Sequence, residues 1–261
     1  MAFDRVRLDI ADGVAVLTLN DPQVMNAAGA PLLDEFLAAL DSVDAPENGV
    51  RCLVVTGAGD SFCAGANLKE RGLGVAKPVG KVLETHWHPL LRRLRRLHCP
   101  VVAAVNGPAA GGGMSLALAC DLIVAVRSAY FLQAFRRIGL SPDVGSSWTL
   151  PRRAGVARAM ELSMLGEKLP APMALEWGLI NRVVDDGQAL AEAMKIAREL
   201  AQGPTVALAL MRQLYWSSTE NTFEEQLDLE CRSQRIAGET DDFREGVAAF
   251  LEKRPARFKG R

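Results

Sequence analysis

Two glycine-containing segments have the residue types and spacing of an anion site built from main-chain amides. GAGDSFCAGANLKE follows the apolar run CLVVT, and GPAAGGGMSLALACD follows VVAAVN. We predict a strand before each segment and a helix after it, where backbone N–H groups and the helix dipole favour negative charge. Together, the two segments predict a site in which backbone N–H groups from both bind one oxyanion. Tight turns are the simpler alternative, and a dinucleotide-binding loop is disfavoured because neither segment spells GxGxxG directly after the first strand.

One carboxylate that could move a proton occurs as Asp143, in the segment IGLSPDVGSSW. An aspartate beside a proline is often only a turn or helix-cap residue, and that alternative stays open on the residues alone. Ser115 and Ser146 have no His-Asp pair near them in sequence and no GxSxG setting, so a serine nucleophile is disfavoured.

Two further stretches invite functional interpretations that we do not favour. His86-Trp87-His88 has two potential metal ligands but no acidic or cysteine constellation to complete a site, so we expect no metal and predict a lid or helix-start surface. LRRLRRL alternates Leu and Arg at helical spacing, which is typical of a solvated helix face rather than an RNA site. The chain has 30 Lys plus Arg and 31 Asp plus Glu, which gives a formal net charge of -1. The protein as a whole is therefore not expected to attract nucleic acid or an anionic membrane.

The elements that must position these residues alternate between strands and helices. Strands are predicted at residues 6–10 and 14–20, joined by a hairpin turn at Asp12-Gly13. The glycine-rich residues 72–80 suit a lid over a site. Gly203-Pro204 is a strong stop signal, so we divide the chain into an α/β core, residues 1–203, and a helical C-terminal segment, residues 204–261.

Composition narrows the class of protein. Hydrophobic residues make up 49% and charged residues 23%, which is typical of a globular chain. The cysteines are odd in number, widely spaced and without CxxC, so neither a disulfide framework nor a zinc site is expected. The N-terminus is predicted to be a strand rather than a signal peptide, and no apolar run is long enough to cross a bilayer. We therefore expect a cytoplasmic protein.

Five ordered blocks across most of the chain carry a family resemblance: CAGANLKE, AAVNGPAAGGGMSLALACD, IGLSPDVGSSWTLPR, ALEWGLINRVV and REGVAAFLEKR. They resemble the enoyl-CoA hydratase/isomerase (crotonase) family. The resemblance implies an α/β fold, a crotonase-like spiral of ββα units with a helical C-terminal trimerisation segment. It also implies an acyl-CoA substrate and a homotrimer or hexamer, with coenzyme A present as part of the substrate and no separate cofactor.

The same resemblance implies roles for individual residues. The N–H groups of Ala66 and Gly112 are implied to form an oxyanion hole for a thioester enolate, where each preorganised donor is worth about 3–4 kcal/mol. A solvated helix-end cation is the alternative role for Lys253. Many relatives have Asp at the position of Asn67. Residues implied to bind CoA or substrate are Ala64, Ala66, Asn67, Leu68, Phe135, Phe250 and Lys253, the last two in some members from a neighbouring subunit.

Departures from the family pattern bear on the reaction. Hydratases of the family use two glutamates, at the positions of Ser115 and Phe135 here, and neither residue can replace a carboxylate as general acid or base. The block around Asp143 resembles the ring-1,2-epoxyphenylacetyl-CoA isomerase of phenylacetate breakdown and, more loosely, peroxisomal-type enoyl-CoA isomerases. In those enzymes an acidic residue at this position carries the proton.

Three hypotheses follow for function. The first is an acyl-CoA isomerase that shifts a double bond or isomerises a ring epoxide, in fatty acid metabolism or phenylacetate degradation, with Asp143 as the proton carrier. The second is an enoyl-CoA hydratase with an atypical site. The third is a catalytically idle CoA-binding or RNA-binding member of the family.

Overall fold

The computed structural model describes residues 3–71 and 79–261, and this part of the chain forms a mixed α/β fold. Its strands are β1 (Val6–Ala11), β2 (Val14–Leu19), β3 (Cys52–Gly57), β4 (Val101–Val105), β5 (Ala109–Ala110), β6 (Leu122–Val126), β7 (Tyr130–Leu132), β8 (Lys168–Pro170) and β9 (Arg182–Val184). Its α-helices are α1 (Ala30–Asp44), α2 (Leu68–Arg71), α3 (Val79–Val82), α4 (His88–Arg96), α5 (Gly112–Leu118), α6 (Ser146–Ala154), α7 (Val156–Leu165), α8 (Ala171–Glu176), α9 (Ala189–Ala201), α10 (Thr205–Ser217), α11 (Phe223–Gly238) and α12 (Asp241–Leu251).

The chain opens with the predicted hairpin. Strands β1 and β2 pair antiparallel, and Asp12 and Gly13 between them both have positive φ, 53° and 76°. A two-residue turn of this kind matches the twist of the flanking strands, which is why Asp-Gly favours it. The hairpin prediction is confirmed, whereas residues 72–78 of the predicted lid lie outside the described residues.

The larger sheet has the strand order β1-β2-β3-β4-β6-β9, and every pairing after the hairpin is parallel. Strand β4 is apolar and buried along its whole length, as expected for a strand covered on both faces. Helix α9 packs on β3, β4 and β6 through a stripe of small side chains that includes Ala193 and Ala197. This sheet is the rigid base of the molecule.

A smaller sheet, β5-β7-β8, stands beside the larger one. Two strands followed by a helix recur along the chain, as β1-β2-α1, β4-β5-α5 and β6-β7-α6. The α/β class and the repeated ββα order were both predicted, and both are confirmed.

Helices α10, α11 and α12 form the helical C-terminal segment, which is also confirmed. The buried Arg212 of α10 fixes this segment to the core: it donates to the Asp121 carboxylate and to the carbonyl oxygens of Leu94 (2.9 Å) and Leu97 (2.6 Å). The division into separate units at residue 203 stays a prediction. Within residues 3–71 and 79–261, no helix has both the length and the apolar composition needed to cross a bilayer.

Candidate active site

Two loops meet where adjacent strands of the larger sheet end. Strands β3 and β4 run parallel, so the segments that follow them leave the sheet at the same edge, where ligand sites of parallel sheets form. Cys63 and Ala109 form an isolated bridge between these loops, and the N–H of Ala110 donates to the Cys63 carbonyl at 2.9 Å. The two glycine-containing segments are therefore neighbours, as the sequence predicted.

Glycine is required at two points of this contact. Gly65 has a φ of 93°, and a Cβ atom there would lie 2.7 Å from the carbonyl oxygen of Ala110 and 3.2 Å from the nitrogen of Gly112. A Cβ atom on Gly113 would lie 2.1 Å from the Cys63 carbonyl oxygen. The two backbones approach this closely only because neither position carries a side chain.

The N–H groups of Ala66 and Gly112 are both available to a ligand. Gly112 is the first residue of α5, as predicted, whereas Ala66 bridges to Ala28 two residues before α2, so its amide does not lie at a helix start. Neither amide donates a hydrogen bond within the described part of the chain. Both residues line the same cavity.

This cavity has a volume of about 240 Å³. Among the described residues that line it, Leu68 and Ile138 are 46% and 51% exposed, whereas Phe135 and Trp87 are 7% and 2% exposed. The lining thus combines exposed aliphatic side chains with two buried aromatic rings. From the predicted site it brings together Ala64, Ala66, Leu68, Gly112, Phe135 and Asp143.

Asp143 belongs to the loop between β7 and α6, and it is the only carboxylate among the described residues that line the cavity. The loop is held through its backbone: the carbonyl oxygen of Asp143 accepts from the Ser146 hydroxyl at 2.9 Å and the Ser146 N–H at 3.0 Å. The next residue, Val144, has a φ of 51°, which is unfavourable for a β-branched side chain. Such strain persists where the surrounding structure enforces it, often at functional sites.

The two positions at which hydratases of the family carry glutamates hold no carboxylate. Ser115 is buried, and its hydroxyl lies 3.2 Å from the carbonyl oxygen of Gly111 and 3.3 Å from that of Asp143. Phe135 packs its ring 4.0 Å from where a Cβ atom on Gly111 would lie. The Ser115 hydroxyl is therefore close to backbone carbonyl groups, and Phe135 is apolar.

Asn67 is buried beside the cavity but does not line it. Its Oδ1 accepts from the backbone N–H groups of Lys69 (3.2 Å) and Glu70 (3.3 Å), so it caps the start of α2. Asp and Asn are equally good at this position of a helix.

Phe250 and Lys253 lie outside the cavity of their own chain. Phe250 is 82% exposed on α12, and Lys253 is exposed just after this helix with a φ of 53°. Neither belongs to the described lining of the cavity. Their contact with CoA stays a prediction, and it requires a neighbouring subunit to bring them to a site.

Trp87 corrects a prediction made from the sequence. We expected His86-Trp87-His88 at a surface, but Trp87 is buried and lines the cavity together with Leu83. These two residues bound a π-helical turn, Leu83–Trp87, between α3 and α4. Trp87 precedes the buried Leu90 and Leu94 by three and seven residues, which is helical spacing, so the apolar period of α4 extended back by one turn indicates its burial.

The sequence and the fold of this chain are both similar to those of known proteins. A family model described as enoyl-CoA hydratase/isomerase matches residues 9–261. The chain is 46% identical over 255 residues to the 1,2-epoxyphenylacetyl-CoA isomerase of Escherichia coli (strain K12), covering 97% of each. It is 43% identical over 261 residues to a protein of Rhodobacter capsulatus named "Probable enoyl-CoA hydratase", covering 100% of each. The crystal structure of enoyl-CoA hydratase from Bacillus anthracis superposes with a TM-score of 0.93 at 32% identity, covering 99% of this chain and 100% of that one.

Proposed function

Because this chain belongs to the enoyl-CoA hydratase/isomerase family and has the crotonase fold, we propose that it is an acyl-CoA isomerase acting through an enolate. One observation carries the proposal: the amides of Ala66 and Gly112, which donate to no other group in the described part of the chain, share a cavity with Asp143, the only carboxylate of its described lining. Isomerisation needs one group that removes a proton and returns it. Hydration by the family's two-glutamate route needs two.

The proposed reaction begins with a 3-enoyl thioester whose carbonyl oxygen accepts from the N–H groups of Ala66 and Gly112. The Asp143 carboxylate takes a proton from C2, and the C–H electron pair moves into a dienolate whose negative charge lies on that oxygen. Preorganised donors stabilise this charge by about 3–4 kcal/mol each. Asp143 then delivers the proton to C4, which leaves the double bond between C2 and C3. The opening of a ring epoxide next to the thioester would use the same enolate.

Phe135 supports isomerisation over hydration. Its buried ring lines the cavity, at the sequence position where the family resemblance implies a glutamate in hydratases. A phenyl ring neither orients a water molecule nor exchanges a proton. An atypical hydratase, in which Asp143 activates a differently placed water, is the second candidate, and the hydratase name of the Rhodobacter capsulatus relative favours it.

A homotrimer or hexamer is part of the same proposal. In the described part of the chain, large apolar side chains are exposed on α7 and on the C-terminal helices, and contact between subunits would bury such side chains. They include Met164, Tyr215, Phe243, Phe250 and Leu251. Burial of this surface between subunits would also carry Phe250 and Lys253 towards a neighbouring cavity. A cytoplasmic location is proposed as well, because all five cysteines are free thiols.

The test is proton exchange at C2 and C4 of a 3-enoyl-CoA in deuterated water, followed by NMR. We expect the wild-type protein to exchange both positions and to move the double bond. Asp143→Asn should lower both rates by at least about a hundredfold, in line with the loss of a general base. The variant should still bind CoA thioesters, because the amides of the oxyanion hole are unchanged.

Different outcomes separate the candidates. Water addition to a 2-enoyl-CoA, without exchange at C4, would support the atypical hydratase and contradict isomerisation. No exchange and no hydration by the wild type, with intact CoA binding, would support a non-catalytic role. Equal activity of wild type and Asp143→Asn would remove Asp143 from the mechanism.

A further inference from the structure

Asn26 is a fully buried polar side chain that holds the loop leading to Ala66. It is 0% exposed, although it belongs to the segment between β2 and α1 rather than to the sheet. Its Nδ2 atom donates to three carbonyl oxygens of the loop after β3, those of Ala58 (2.9 Å), Ser61 (2.8 Å) and Phe62 (3.3 Å). One side-chain amide therefore joins both ends of that loop.

The orientation of the Asn26 amide is fixed by its partners. Its Oδ1 atom accepts from the N–H of Asp21 at 2.9 Å. Exchanging the two ends of the amide would set an oxygen against three carbonyl oxygens and an NH2 group against an N–H, so only one assignment satisfies the groups. Met25 and Asn26 also have φ values of 54° and 55°, an unfavourable pair of residues that the surrounding structure has to enforce.

The backbone around Asn26 makes a second set of contacts with the same loop. We call residues 25–28 the clamp segment. Three hydrogen bonds join it to the backbone next to Ala66: Ala64 N–H to the Met25 carbonyl (3.0 Å), Ala28 N–H to the Gly65 carbonyl (2.6 Å) and Asn67 N–H to the Ala28 carbonyl (3.1 Å). The clamp segment therefore contacts the loop both before and after Ala66.

This pattern sets the direction of the Ala66 amide. Ala28 and Ala66 form an isolated parallel bridge, in which Ala28 bonds the carbonyl before Ala66 and the N–H after it. The middle residue of such a bridge directs its own N–H away from the partner segment. Ala66 lines the cavity, so its amide is available there to a ligand.

Asn26 itself is not among the described residues that line the cavity, so it acts on a ligand only through the loop. Its side chain supplies the hydrogen bonds that keep the loop against the clamp segment, and the clamp segment aims the Ala66 amide. Given the proposed function, on which this assignment rests, we propose that Asn26 is a positioning residue of the oxyanion hole. A purely structural residue would change stability without changing the hydrogen bond to the thioester oxygen.

The test therefore measures that hydrogen bond as well as the reaction. Asn26→Gly removes the side chain and tolerates the positive φ. We expect it to lower kcat for a 3-enoyl-CoA by about a hundredfold and to change KM by less than about threefold, because the donor acts mainly on the enolate. Infrared spectra of bound hexanoyl-CoA, isotope-labelled at the thioester carbonyl carbon, report the hydrogen bond directly. The carbonyl stretch should lie below its frequency in water for the wild type and move back towards that frequency in the variant.

Two further variants separate positioning from stability. Asn26→Asp keeps the size of the side chain and the acceptor for the Asp21 N–H, but it replaces the NH2 donor by an oxygen. It should show the same changes and keeps the test possible if Asn26→Gly does not fold. Arg212→Met removes a buried polar anchor of the scaffold outside the described lining of the cavity. It should destabilise the fold by a comparable amount and leave the carbonyl frequency unchanged, with kcat within about threefold of the wild type.

Each outcome decides between positioning and its alternatives. Wild-type kcat and carbonyl frequency in both Asn26 variants would overturn the positioning role and leave the isomerase standing, as would equal losses in Arg212→Met. A carbonyl band that shifts in the Asn26 variants, together with a wild type that exchanges no proton, would support positioning and remove only the isomerase. A carbonyl stretch that does not fall when hexanoyl-CoA binds the wild type would overturn both.

Discussion

The substitution Gly65→Ala tests whether the close approach of the two loops is needed for catalysis. The added Cβ atom would lie 2.7 Å from the Ala110 carbonyl oxygen, about 0.7 Å inside the 3.4 Å at which ordinary contact begins. Because the obstacle is backbone, the two loops have to separate. The nearest atom beyond that carbonyl group is the nitrogen of Gly112, so the separation displaces one donor of the proposed oxyanion hole.

The expected loss follows from that displacement. A misplacement of about 1 Å lowers a rate by about a hundredfold, and complete loss of one oxyanion donor lowers it by about 10²–10³. We expect Gly65→Ala to lower kcat for isomerisation by about a hundredfold, with a smaller change in KM. The positive φ of 93° should separately lower the free energy of unfolding by about 1–2 kcal/mol.

A control variant separates these two effects. Gly187 has a φ of 81°, and a Cβ atom there would meet nothing within 4 Å. Gly187→Ala therefore carries the conformational penalty without the collision. Both variants are compared by urea unfolding and by the isomerase assay. If Gly65→Ala keeps a kcat within about threefold of Gly187→Ala, the loop contact does not place the Gly112 amide, and the reasoning is wrong.

Three further predictions concern the scaffold. Arg212→Met should lower the free energy of unfolding by about 3–5 kcal/mol, because it removes the cation paired with the Asp121 carboxylate and the donor to the carbonyl groups of Leu94 and Leu97. The N–H groups of Val101 and Trp216 still donate to Asp121 in the variant, but they carry no charge. Urea unfolding measures the loss, and a loss under about 1 kcal/mol would contradict the anchoring role. Burial raises the pKa of Cys63 to about 11 and that of Cys120 to about 12, whereas Cys231 is exposed, so iodoacetamide at pH 8 should label one thiol per folded chain. The pKa values of these thiols in the folded chain lie above the ordinary value of 9.0. Their contribution to the free energy of unfolding is therefore complete below pH 9 and is lost as the pH rises towards 11. Urea unfolding between about pH 8 and 11 would show this decline.

Local chemistry made part of the fold predictable from the sequence. Asp12-Gly13 specifies a hairpin turn without reference to the rest of the chain. The apolar runs of β3 and β4 are typical of buried parallel strands, and their glycine-containing continuations had to leave the sheet at the same edge. The strand order of the sheet was not predictable in this way, because it depends on contacts between distant segments.

Part of the candidate site was predictable from the position of residues within motifs. Gly112 and Asp143 followed from motif position, and the structure places both in one cavity. Trp87 was missed because its two histidine neighbours suggested a surface, although it lies three and seven residues before the buried Leu90 and Leu94. The sequence predicts a CoA contact for Asn67, which stays a prediction, and the cap that its side chain forms on α2 was not predicted.

This division between main chain and side chain explains why the family was easier to identify than the reaction. Stabilising an enolate oxygen depends on backbone N–H groups, and the sequence requirement is the absence of side chains at positions such as Gly65 and Gly113. Many residues contribute to that requirement, so it leaves a long ordered pattern. In the proposed mechanism, the fate of the enolate depends on a few side chains that line the cavity, among them Phe135 and Asp143. A change at one of these positions would redirect the proton or admit water while the fold and the proposed oxyanion hole stay as they are, so the reaction has to be established by measuring where the proton goes.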